Sequence, residues 1–204
     1  MAIKLHKGDL PADVDFGKSV AIDTETLGLN PHRDKLCLIQ LSAGDGNAHL
    51  VQLDRNNYDA PNLKALLANK DVVKIFHYAR FDVAVLKAYL DVDVAPVYCT
   101  KIASKLVRTY TDRHGLKDLV REMLGVDVSK QQQSSDWGSA VLSDAQKQYA
   151  AGDVLYLHEL KIRLDQMLKR EGRMDIANAC FEFLPTRCAL DLAGWGETDI
   201  FAHR

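Results

Sequence analysis

Glutamate is scarce in this sequence: of 28 acidic residues only six are Glu, so a Glu in an unusual setting is informative. Charge of one sign is lacking too. Lys and Arg number 26 against 28 Asp and Glu, a net charge of -2, which argues against the strongly basic surface of a duplex or long-polymer binder. No stretch approaches ~18 consecutive apolar residues, so no membrane-spanning helix and no membrane partner are expected. The start, Met1-Ala2-Ile3-Lys4-Leu5-His6-Lys7-Gly8, has neither the apolar core nor the small-residue cleavage site of a secretory signal. The four cysteines (Cys37, Cys99, Cys180, Cys188) form no C-x-x-C pair, and reduced, buried thiols in a cytoplasmic protein are expected.

What is present fits one domain over residues 1–204: 204 residues, 47% of them hydrophobic, suffice for a full core and exclude disorder. Strand patterns fall at Ser19–Ile22, Leu36–Ser42 and His49–Leu53, separated by turn residues, and suggest an antiparallel meander. A short helix at Asn62–Ala68, a strand at Val72–Phe76, a helix at Ala79–Leu90 and a strand at Val94–Tyr98 follow, then helices only. Ser143-Asp144-Ala145-Gln146 has the form of a capping box, opening a helix expected to run to about Glu171; a last helix covers Met174–Leu192. This order predicts an α/β domain with a mixed five-stranded sheet flanked by helices and a helical C-terminal part. Trp137, in the polar connector before Ser143, either anchors that connector or stacks on a base.

Carboxylates occupy faces that should be apolar. Period-2 alternation puts Asp23 and Glu25 on one face at the end of an apolar strand, roughly 6–7 Å apart. Two like charges there are costly unless a cation lies between them or the strand end is solvent-exposed. On the capped helix, the apolar stripe Leu157, Leu160, Leu164, Met167 extends backwards onto Asp153 and Tyr149, so a carboxylate faces the core and must be paired, hydrogen-bonded or metal-bound. Tyr-x-x-x-Asp also occurs at Tyr78/Asp82 and Tyr89/Asp93; position on the stripe selects Tyr149/Asp153. Asp82 falls in the first turn of the helix after Phe76-His77-Tyr78-Ala79-Arg80-Phe81, either as helix N-terminal charge or as a fourth site carboxylate, and His77 is equally readable as a satisfied core histidine. An all-oxygen donor set of this kind suits Mg2+ or Mn2+.

Asp23-Thr24-Glu25, His77-x-x-x-Phe81-Asp82 and Tyr149-x-x-x-Asp153 together resemble, in order, the three motifs of the DEDD 3′–5′ exonucleases. With Tyr four residues before the last Asp and Gln at 148, the third motif is similar to the Tyr subclass. The stretch from Gln133-Ser134-Ser135-Asp136-Trp137 to Asp153-Val154-Leu155-Tyr156-Leu157 is similar to the ribonuclease D branch, and the resemblance covers about residues 18–171. Only Gly172 to Arg204 would remain for the extra helical domains of ribonuclease D, so the chain looks more like the compact nanoRNases, which finish RNA dinucleotides and form ring-shaped oligomers.

The resemblance implies a ribonuclease H-like fold and hydrolysis of very short RNA to nucleoside 5′-monophosphates with two divalent cations. Asp23, Glu25 and Asp153 would hold one cation, Asp23 and Asp82 the second, and Tyr149 would orient the attacking water. Thr26 would meet the 3′-hydroxyl and Leu27 would wedge between the last two bases or simply pack. His77, Lys105, Arg108 and Lys130 are candidate sugar or phosphate contacts. A ring octamer is implied by the resemblance alone, with Trp195 and Phe201 in the 194–204 tail as candidate subunit contacts. The alternatives are ribonuclease D-like processing of longer or structured RNA, DNA hydrolysis, or an inactive nucleic-acid-binding module.

Overall fold

A computed structural model describes residues 2–128, 132 and 134–203. The first strand after the N-terminus, β1 (Ile3–Lys7), was not expected from the sequence. It is followed by β2 (Ser19–Thr26), β3 (Leu36–Ser42), β4 (Ala48–Gln52), α1 (Pro61–Ala68), β5 (Val73–Phe76), α2 (Ala79–Leu90), β6 (Val97–Cys99), α3 (Thr100–Val107), α4 (Leu116–Leu124), α5 (Asp144–Leu155), α6 (Leu157–Arg170) and α7 (Met174–Leu190). The sheet therefore has six strands rather than five, in the order β1-β4-β3-β2-β5-β6. β2, β3 and β4 form the expected antiparallel meander, while β5 and β6 run parallel to β2 and β1 runs parallel to β4.

β3 is buried along its whole length, and Val20, Ala21 and Ile22 of β2 have no exposed surface, as befits central strands covered on both faces. β2 is thus fixed as a rigid platform, and its C-terminal end carries the acidic pair. A register irregularity between Glu25 and Thr26 bends the strand there, the usual place for a bulge that re-aims side chains at a functional edge.

The single helix expected from Ser143 to Glu171 is broken at Tyr156. Its first half, α5, lies on β2, β3 and β4, and its second half, α6, turns to pack on α3 and α4. The capping box forms as predicted: Ser143 Oγ accepts from Gln146 N at 3.2 Å, and Ser143 N donates to the Gln146 side chain at 2.9 Å. Trp137 is buried with Cys37, Leu38, Leu50, Leu142 and Ala150 in a small cluster beneath α5, so it anchors the connector.

Candidate active site

The C-terminal end of β2, the start of α2 and the first turns of α5 converge on a groove of about 650 Å3. Asp23 and Glu25 project from β2 as alternation requires, and Asp153 comes down from α5, so that one carboxylate oxygen of each lies within 4.8 Å of the others. Among the described residues this is the group of His, Cys, Asp and Glu side chains close enough to share an ion. Asp82 is buried behind them, and its Oδ1 accepts a 2.7 Å hydrogen bond from Thr24 Oγ1. The side of the cluster facing β3 is closed by Gln40, directly opposite Asp23 in the ladder, whose Nε2 lies 3.5 Å from Asp23 and 3.4 Å from Glu25.

Four carboxylates in so small a space cannot all carry charge without compensation. Burial pushes Asp23 up to about 7. Burial and then the charges of Asp23, Asp153 and Asp82 push Glu25 up to about 10. Asp82 and Asp153 are raised as well, by burial first and Asp23 second. Gln40 and Thr24 are neutral donors and cannot balance that charge. A hard donor set of carboxylate oxygens with unsatisfied negative charge fits a divalent cation such as Mg2+ or Mn2+. Tyr149, one turn before Asp153, lines the same groove, and burial with the charges of Asp153, Glu25 and Asp23 holds its hydroxyl protonated well above the ordinary range.

The remaining predicted contacts divide. Thr26, Leu27 and His77 line the groove. Leu27 projects into it, 48% exposed, and the His77 ring is deeply recessed with Nδ1 at 2.9 Å from Thr100 Oγ1. Burial, then Lys101, lowers the His77 pKa to about 3, so the ring is neutral. Lys105 lies outside the groove, on a neighbouring cavity that shares Tyr78 and Lys101 with it. Arg108 corrects the expectation: it is 1% exposed, its Nη1 donates to Arg113 O at 2.7 Å and to Ser104 Oγ at 3.2 Å, and its Nη2 is paired with Glu122. Buried and spent on bracing the α3–α4 connection, this guanidinium does not face the groove. Lys130 lies outside the described residues.

Several groove residues were missed. Gln40 had a readable signal, a polar residue in the middle of an otherwise apolar strand. Tyr78, Phe81, Lys101 and Lys117 also line the groove; Phe81 stands in the second motif and Tyr78 in a Tyr-x-x-x-Asp pair set aside above, but no contact was expected of any of the four.

The chain matches the model of the 3′–5′ exonuclease domain over residues 9–169 and belongs to that family. Over its full length it is similar to the structure of Brucella melitensis NrnC with bound Mg2+, with 57% identity, a TM-score of 0.96 and complete coverage of both chains. The same protein bound to pGG superposes at a TM-score of 0.97 with 58% identity, again over both whole chains. Ribonuclease D of Gluconacetobacter diazotrophicus is 35% identical over 156 residues, 76% of this chain but 39% of that protein, so the chain spans well under half the length of these curated relatives. Escherichia coli RNase D, described as an exoribonuclease involved in structured RNA processing, is 25% identical with a TM-score of 0.74, covering 84% of this chain and 46% of that one.

Proposed function

We propose that this 3′–5′ exoribonuclease acts on very short RNA, down to the dinucleotide, using two divalent cations held by Asp23, Glu25, Asp82 and Asp153. The observation that carries this reading is the cluster of Asp23, Glu25 and Asp153 at the floor of the groove into which Leu27 projects. Support for a short substrate comes from the full-length likeness to a protein whose structure holds pGG, and from a net charge of -2, which offers few phosphate contacts to a long strand. When bound, divalent cations supply a water acidic enough to attack at neutral pH and offset charge at the leaving 3′ oxygen.

The chain's own residues do the rest. Tyr149 orients the attacking water by hydrogen bonding. Thr24 fixes the Asp82 carboxylate through its hydroxyl. Thr26 lies where the strand bends and would meet the terminal 3′-hydroxyl; Leu27 would separate the last two bases; His77, neutral, would contact the sugar. Attack at the terminal phosphodiester releases a nucleoside 5′-monophosphate. Trp195 and Phe201 are exposed in the C-terminal tail and are proposed as contacts of a homo-oligomer, whose size light scattering would give.

The test is a time course on 5′-labelled RNAs of graded length, with Mg2+, with Mn2+ and with EDTA, alongside Asp23→Asn. The reading expects fastest turnover of the two-nucleotide RNA, none in EDTA and none in the variant. Trimming of long RNA with the dinucleotide spared would favour the ribonuclease D-like alternative, which the 35% identity to ribonuclease D keeps in play. Binding without metal-dependent product would mark an inactive module.

A further inference from the structure

The match to the exonuclease domain ends at residue 169, and the polypeptide beyond it folds back onto the helix that carries Asp82. Asp191 begins a short π-helical turn, Asp191–Trp195, after α7. Its carboxylate receives Arg80 in bidentate fashion, Nε to Oδ2 at 2.6 Å and Nη2 to Oδ1 at 2.8 Å, and Arg80 Nη2 also donates to Gly196 O at 2.9 Å. Arg187 closes the same ring from α7, with Nη2 at 2.7 Å from Asp191 Oδ1, 3.0 Å from Trp195 O and 2.9 Å from Gly196 O. The Cys188 thiol adds a 3.3 Å contact to the Arg80 carbonyl. Asp191 is well covered, with 14% of its side chain exposed.

Arg80 lies inside the His77-x-x-x-Phe81-Asp82 motif, two residues before Asp82, on a helix start that is poorly secured by its own sequence. The N-cap is Tyr78, which makes no capping hydrogen bond and sits in the left-handed region at φ 69°, ψ 44°. A residue with a Cβ holds that conformation only where its surroundings over-determine it. Lys101 Nζ lies 4.4 Å from the centre of the Tyr78 ring and restrains one side. Two residues on, the Nε and Nη2 of Arg80 are held by the Asp191 carboxylate and tie down the first turn of the helix.

We propose that the Arg80–Asp191–Arg187 clasp positions Asp82, making the segment beyond the exonuclease domain a support of the catalytic centre and Arg80 a positioning residue within the motif. The clasp pins the first turn of α2 from outside while Thr24 pins the Asp82 carboxylate from inside. This inference rests on the reading of Asp82 as a cation-supporting carboxylate.

The experiment compares Asp191→Asn, Arg80→Lys and Asp82→Asn in the full chain, with a 5′-phosphorylated GG dinucleotide as substrate. Mn2+ binding to the substrate-free protein, measured by calorimetry, is the second readout. Leu168→Ala, a buried residue of α6 remote from the clasp, serves as a control for lost stability. Asp191→Asn is expected to lower kcat about tenfold with KM within about twofold, and to weaken Mn2+ binding by a similar factor, with Arg80→Lys between it and the parent. Wild-type kcat and Mn2+ affinity in Asp191→Asn and Arg80→Lys, with only thermal stability lowered as in Leu168→Ala, would overturn the clasp while leaving the site intact. Full activity in Asp82→Asn would instead bring down the reading of the site, and the clasp's role with it.

Discussion

Replacing Glu25 by Gln should stabilise the metal-free protein while abolishing its activity. Two carboxylates within 4.8 Å at an effective dielectric of about 20 repel by roughly 3.5 kcal/mol. The folded protein limits that cost by keeping a proton on Glu25, whose pKa burial and the charges of Asp23, Asp153 and Asp82 push up to about 10 from 4.5. Because the pKa is raised, the folded state binds more protons than the unfolded chain between pH 4.5 and about 10, and stability falls as pH rises through that window. At pH 7 the proton is held about 2.5 pH units above its ordinary value, which at about 1.4 kcal/mol per unit is a penalty of about 3 kcal/mol. A glutamine of the same shape carries no such penalty.

The assay is thermal melting in EDTA and in Mg2+. In EDTA at pH 7, Glu25→Gln should melt higher than wild type, by roughly 6–12 °C for a chain of this size. At pH 4 the difference should close, since the folded and unfolded glutamate then both carry the proton. Mg2+ at ~100 times its Kd should raise wild type by about 2.7 kcal/mol and leave the variant nearly unmoved. A variant that melts at or below wild type in EDTA, or a wild type indifferent to Mg2+, would refute a cluster of repelling carboxylates built for a cation.

Tyr149→Phe should lower kcat by ~100-fold with little change in KM, since the hydroxyl orients water and its ring packing against Trp137, 6.0 Å between centroids, is kept; single-turnover kinetics would show it, and a KM effect alone would contradict the role. Gly138→Ala would bring a Cβ to 2.8 Å from Leu27 Cδ2 and 3.0 Å from Arg55 Nη1. Both are ends of flexible side chains, so melting should move little while Leu27 shifts in the groove and KM for the dinucleotide rises severalfold; an unchanged KM would remove Leu27 from substrate binding. His6 and His49, stacked with ring nitrogens 3.0 Å apart, both have lowered pKa values, by burial first, then Lys4 for His6 and His6 for His49. The unfolded chain therefore takes up protons first as pH falls below 6.5, and β1 should loosen in acid; hydrogen exchange in β1 should accelerate below pH 6 in wild type and less in His49→Gln.

How much was legible in the sequence depended on whether the physics was local. Asp23 and Glu25 could be placed because strand alternation and an apolar flank act over six residues, and Asp153 with Tyr149 because the stripe continues through Leu157, Leu160 and Leu164, all buried as expected. β1 was overlooked although Ile3 and Leu5 alternate with Lys4 and His6: five residues become a strand here only through parallel pairing with β4, more than forty positions away. The break at Tyr156 is invisible for the same reason, since both halves keep the apolar period and only their different partners, the sheet for α5 and α3 with α4 for α6, turn the chain. Arg108 shows the opposite failure. It was expected as a sugar or phosphate contact, yet Glu122 fourteen positions on, together with the Arg113 carbonyl and Ser104, supplies enough acceptors to bury it. Whether a cation faces substrate or braces a turn is decided by where its acceptors lie in space, and for Arg80 and Arg108 alike those acceptors belong to the protein.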